Sequence, residues 1–85
     1  MKVLTIFDQK SGTHINYNLS VCESYYYEDS CLFIKYQKDL VRIKLKCDGV
    51  AKYLESEITA FICEDNKHRM HVSKNEYDIT SLVKQ

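Results

Sequence analysis

The sequence predicts a mainly β protein: a small antiparallel meander of six or seven short strands forming a barrel or curled sheet, with at most one short helix near residues 49–56. Three observations carry that expectation. Apolar and charged residues alternate strictly from Val41 to Cys47, and a β-strand sends successive side chains to opposite faces. The chain has no proline and only two glycines, Gly12 and Gly49, both placed where turns are wanted. Short runs of this kind follow one another through 85 residues, and local hairpins favour an up-and-down meander over a Greek key.

The first hairpin is expected to pair residues 2–8 with roughly 14–22. Residues 9–13 connect them, and Gly12 supplies the positive φ that a bulged loop needs. Ile15, Tyr17, Leu19 and Val21 alternate with Asn16, Asn18 and Ser20, the pattern of a half-buried strand. The second hairpin pairs residues 31–37 with 40–47 across Lys38-Asp39, a two-residue turn that lacks the favoured glycine. Leu32, Ile34 and Tyr36 then share the core face with Val41, Ile43 and Leu45. Phe33 and Lys35 face outward beside Arg42 and Lys44.

Residues 48–62 carry two competing signals. Val50, Leu54, Ile58, Phe61 and Ile62 fit helical spacing. Residues 58–63 are nonetheless rich in strand formers, and Asp65-Asn66-Lys67 has turn chemistry. The expectation is a short helix or loop over 49–56, then a third hairpin of 57–64 with 69–73, bringing Phe61 near Val72 and Cys63 near Met70. Residues 77–83 are expected to form the last strand, with Ile79 and Val83 on one face, although Ile79, Leu82 and Val83 would also suit one or two helical turns.

One domain, 1–85, accommodates all of this. Twelve basic residues balance twelve acidic ones, so there is no long-range pull toward nucleic acid or an anionic membrane. The longest apolar runs are a few residues, too short for a membrane span. Residues 1–8 carry no signal-peptide h-region or cleavage site, which makes the cytoplasm the expected compartment. Cys22, Cys31, Cys47 and Cys63 are accordingly read as reduced, small apolar side chains. Lysine outnumbers arginine ten to two, and Asn, Ile and Tyr are plentiful, a usage of AT-rich codons that suggests a low-GC bacterium, its phage or a mobile element; for a phage protein the compartment is the host cytoplasm.

Three constellations could carry chemistry. Phe33, Lys35, Arg42, Lys44 and Lys46 make a basic strip with an aromatic platform, with Lys38 nearby. Sheets that bind single strands combine cations for phosphates with aromatics for bases, although nucleic-acid modules are usually basic overall, and a lysine face also discourages edge aggregation. Tyr25, Tyr26, Tyr27, Glu28 and Asp29 form an acidic tyrosine segment. Three consecutive tyrosines cannot all point inward, and exposed tyrosine is enriched in binding surfaces; the plainer alternative packs Tyr26 on the core and leaves its neighbours on the surface. Cys63, His68 and His71 are zinc-ligand types, but their spacing matches no usual structural site, and no metal or cofactor is assigned.

No nucleophile elbow, P-loop, dinucleotide fingerprint or zincin motif is present, so no catalytic residue is assigned and the chain is expected not to be an enzyme. The expected function is a small protein-binding module, such as a phage-encoded inhibitor of a host or defence protein that acts by occlusion or by mimicking nucleic acid through Tyr25–Asp29. The alternative is a single-stranded nucleic-acid or nucleotide-binding module using the cationic strip. A second copy of the chain is a further candidate partner, because short chains often gain core by pairing edge strands.

Overall fold

The computed structural model describes residues 1–84. Its elements run β1 (Val3–Asp8), β2 (Thr13–Asn18), a 3-10 turn (Leu19–Val21), β3 (Ser24–Glu28), β4 (Cys31–Lys35), β5 (Leu40–Lys44), α1 (Asp48–Cys63), β6 (Arg69–Ser73) and β7 (Ser81–Lys84). The seven strands form two sheets, ordered β2-β1-β6 and β3-β4-β5-β7. Neighbouring strands are antiparallel except β1 and β6, which run parallel. The mainly β expectation holds, as two open sheets rather than a closed barrel.

The first hairpin forms with Asp8 opposite Thr13, and Gly12 takes φ 71° while donating its N–H to the Asp8 carbonyl at 2.8 Å. The second strand stops at Asn18, short of residue 22. Asn18 Oδ1 accepts the Ser20 N–H at 2.9 Å and turns the chain into the 3-10 segment that buries Leu19. Residues 24–28 then begin a separate strand, and the turn between β3 and β4 is Asp29-Ser30, with φ 50° and 62°. Two positive φ values in a two-residue loop make a type I′ turn, whose twist suits a hairpin.

The β4–β5 hairpin keeps its predicted faces but not its predicted turn. Ile34 lies opposite Val41 and Leu32 opposite Ile43, and the Tyr36 N–H donates to the Asp39 carbonyl at 2.8 Å. The turn is therefore Gln37-Lys38, one residue earlier than expected. The pairing slides by two residues, an even number, so every side chain stays on its own face.

The third hairpin does not exist. Helix α1 continues through residues 57–63, where a strand was expected, and Arg69–Ser73 pairs with β1 instead. Ala51, Leu54, Ile58 and Phe61 recur at helical spacing and are all buried. An amphipathic stripe packed on a core outweighs the weak strand preference of Ile58, Thr59 and Ile62. Asp48 in the first turn complements the helix dipole and accepts the Ser30 N–H, which ties the helix to the β3–β4 turn. The last strand is also shorter than predicted: a turn spans residues 74–78, with Asp78 at φ 51°, and β7 begins only at Ser81.

The core lies between the sheets and α1. Leu4, Ile6 and Val72 contribute from one sheet, Leu32, Ile34, Val41 and Ile43 from the other, and Leu54 and Ile58 from the helix. Each buried aliphatic side chain of this size contributes about 1.5–3 kcal/mol relative to exposure. With α1 docked through Tyr25 on the inner side of β3, the outer face of the four-stranded sheet keeps Tyr26, Glu28, Lys35 and Lys44 exposed among the described residues.

Candidate interaction surface

The four-stranded sheet brings two sequence-predicted patches together on that outer face. Tyr26 lies opposite Phe33, Phe33 opposite Arg42, and Arg42 opposite Val83. Directly opposed residues share a face, so one row runs Tyr26–Phe33–Arg42–Val83 across all four strands. The Tyr26 and Phe33 rings stack with centroids 5.1 Å apart and planes 20° apart. An offset aromatic pair of this kind adds about 0.5–1.5 kcal/mol beyond its buried area. Arg42 is partly buried beside this stack, and its Nε is shielded from solvent with no hydrogen-bond partner among the described residues.

The tyrosine triplet is split by the pleat, in the sense opposite to the plainer alternative. Tyr26 is the outward residue and is 39% exposed. Tyr25 lies opposite Ile34 on the core face, and its hydroxyl shares a hydrogen bond of 2.8 Å with Thr59 Oγ1 on α1. Tyr27 shares that inner face with Leu32 but lies near the end of the strand and remains 37% exposed. Glu28 and Asp29 are exposed at the turn. The segment therefore presents Tyr26 to one side of the sheet and Tyr27 to the other, with acidic groups at its end.

The cationic strip is only partly assembled. Lys35 and Lys44 are exposed on the outer face flanking the Phe33–Arg42 pair. Lys46 is not with them: it lies beyond the end of β5 and lines a separate hollow with Lys74, Asp78 and Thr80. Charge on the face grades from Glu28 on β3 to Lys35, Arg42 and Lys44 on β4 and β5. A shallow hollow of about 380 Å³ opens beside Tyr26, between Lys35, Lys38 and Leu40.

Cys63 ends α1, whereas His71 sits on β6 opposite Thr5. Among the described residues no group of three His, Cys, Asp or Glu side chains is placed to hold a metal ion. All four cysteines are free thiols, and Cys31 alone is fully buried. Sequence reasoning missed that Tyr26 belongs with Phe33, and that β3 is the outermost strand of its sheet. The missed signal was Asp29-Ser30, since aspartate tolerates the left-handed conformation that a tight hairpin turn requires. No helix among the described residues is long and apolar enough to cross a membrane. Compared with protein-family models, with curated proteins and with solved structures, the chain matches none.

Proposed function

We propose that this chain is a non-enzymatic protein-binding module that engages its partner through the open side of the four-stranded sheet and acts by occluding the surface it covers. Tyr25, Tyr26, Tyr27, Glu28 and Asp29 form the contact segment: Tyr26 and Glu28 meet the partner on the outer face, where Phe33 and Arg42 extend the contact across the sheet, and Tyr25, Tyr27 and Asp29 meet it along the strand edge and turn. The observation that supports this is the Tyr26–Phe33 stack beside the partly buried Arg42, on a face where Tyr26, Glu28, Lys35 and Lys44 are exposed. Tyrosine and arginine are the residues on which binding energy concentrates, and a stacked pair is already ordered before a partner arrives. The test is capture of a partner from a bacterial lysate. Wild-type protein and the remote surface variant Ile15→Ser should capture the same partner, and Tyr26→Ser with Tyr27→Ser should weaken capture by about tenfold or more, as loss of hot-spot residues does. Equal capture by all three proteins would refute the assignment, provided circular dichroism shows the variants folded.

A second reading is supported by the convergence of Phe33, Lys35, Arg42 and Lys44 on one face. These residues would place a base on the aromatic ring and phosphates on the cations, as single-strand-binding sheets do. That reading requires an oligonucleotide affinity that falls steeply as salt rises. The acidic end of β3 on the same face opposes it.

A further inference from the structure

We infer that the partner adds a strand to the β3 edge, and that the added segment is an extended, basic stretch of a protein. This rests on the preceding reading of Tyr25–Asp29 as the contact segment and specifies how it is used. The strand β3 is terminal in its sheet and has β4 on one side only. Because Asp29-Ser30 is a two-residue turn, Glu28 and Cys31 form the hydrogen-bonded pair that closes the hairpin. Hydrogen-bonded and non-hydrogen-bonded pairs then alternate along the strand. The main-chain groups of Tyr26 and Glu28 are thus spent on β4, while the N–H and C=O of Tyr25 and Tyr27 point out of the open edge. Those are the groups that strand addition uses.

Charge selects the occupant. Residues 23–29 contain Glu23, Glu28 and Asp29 and no lysine or arginine. Glu28 lies on the outer face of the sheet, and Glu55 lies on the helix side, where its carboxylate accepts from Thr59 Oγ1 at 3.1 Å beneath the Tyr25 hydroxyl. A strand laid along β3 sends alternate side chains to these two sides and meets a carboxylate on each. A basic segment complements both. A second copy fits less well: antiparallel self-pairing centred on Tyr26 brings Glu23, just before β3, toward Glu28 and Asp29 at the far end of the other copy's strand, and gathering like charges there is destabilising. Nucleic acid would bring phosphates to the same carboxylates.

The test uses the full chain and three labelled peptides: alternating lysine and valine, alternating glutamate and valine, and the lysine–valine peptide N-methylated at alternate amides. Fluorescence anisotropy should show the lysine–valine peptide binding about tenfold more tightly than either of the others. The amide signals of Tyr25 and Tyr27 should move on titration, and Glu23→Gln, Glu28→Gln and Asp29→Asn together should abolish the preference for the basic peptide. Equal binding of the three peptides, or shifts confined to residues away from β3, would overturn the inference. So would a stable dimer with the Tyr25 and Tyr27 amides protected, which would give the edge to a second copy. Tyrosine-dependent capture from lysate without any peptide preference would leave the binding face standing and remove strand addition alone.

Discussion

Lys2 caps the carboxyl end of α1 at Phe61: its Nζ donates to the Phe61 carbonyl at 3.0 Å and sits 4.7 Å from the centre of the Phe61 ring. The carbonyls of Glu64 and Lys67 accept from the same nitrogen. An ammonium has three donors and no acceptor, so the three carbonyls take all of them. No glycine closes this helix, and Glu64 leaves it in an extended conformation. The cation does the work that a glycine cap does elsewhere, and it adds the favourable charge for a helix C-terminus. Lys2→Met keeps the aliphatic stem and removes the charge. It should cost about 1–2 kcal/mol, the combined scale of a helix-end charge and a cation over a ring. A lowered urea midpoint with unchanged slope would show it, whereas an unchanged midpoint would make the cap ornamental.

A second cross-link joins the two sheets and gives the protein a defined alkaline response. The Tyr36 hydroxyl, just after β4, donates to the Asn18 carbonyl at the end of β2 at 3.0 Å. Burial, and then the neighbouring Cys22 and Tyr17, push the Tyr36 phenol up to about 12. An unfolded tyrosine ionises near pH 10. Below that value both states keep the proton and stability is unaffected. Between about 10 and about 12 the unfolded chain releases its proton first, so the native state binds more protons and stability falls as pH rises. Tyr36→Phe should lower stability at neutral pH by about 0.5–1.5 kcal/mol through the lost hydrogen bond. It should also flatten, without abolishing, the alkaline loss, because burial raises the Tyr17 phenol too. Urea titrations at a series of pH values check both effects; a slope identical to wild type above pH 10 would contradict the second.

The competing signals in residues 57–63 have a direct experimental discriminator at Ala60, which is exposed on α1. Alanine is the best helix former, and glycine at an exposed helix position costs about 1 kcal/mol. Ala60→Thr should also destabilise, by about 0.5 kcal/mol. In a strand the threonine substitution would act with the opposite sign, since β-branched residues favour strands. Both variants therefore move down together if the segment is helical, and chemical denaturation reads the sign.

That ambiguity marks where sequence stops specifying this fold. The pleat of the central hairpin was legible because Val41 to Cys47 alternate and one face must be buried. Parity is robust, so Leu32, Ile34, Val41 and Ile43 were placed inward even with the turn shifted by one residue. The helix was half legible. Leu54, Ile58 and Phe61 have helical spacing, but Ile58-Thr59 and Ile62 imitate a strand, and only the tertiary stripe decides between them. The parallel pairing of β1 with β6 leaves no local trace, because it joins residues more than sixty positions apart, such as Leu4 and Met70. At the candidate surface, the residue types were legible and their grouping was not. Tyr26 joins Phe33 through a hairpin whose turn contains no glycine.

That turn supplies a prediction of opposite sign to the others. Ser30 holds φ 62°, in the left-handed region that costs an L-residue roughly 1–2 kcal/mol. Ser30→Gly removes this cost and adds back some unfolded-state entropy. The main-chain N–H that Ser30 gives to Asp48 survives the change, since glycine keeps it. The net effect should be a gain of about 0.5–1 kcal/mol. Lys38→Gly is the matched control: neither Gln37 nor Lys38 has positive φ, so glycine there brings only entropy and should destabilise. Thermal or urea unfolding of the two variants should bracket the wild type, with Ser30→Gly above it and Lys38→Gly below. Because Ser30 lies just outside the contact segment, Ser30→Gly should also retain partner capture. A variant that stabilises the β3–β4 turn yet loses capture would mean that binding needs this hairpin to open rather than to present a preformed edge.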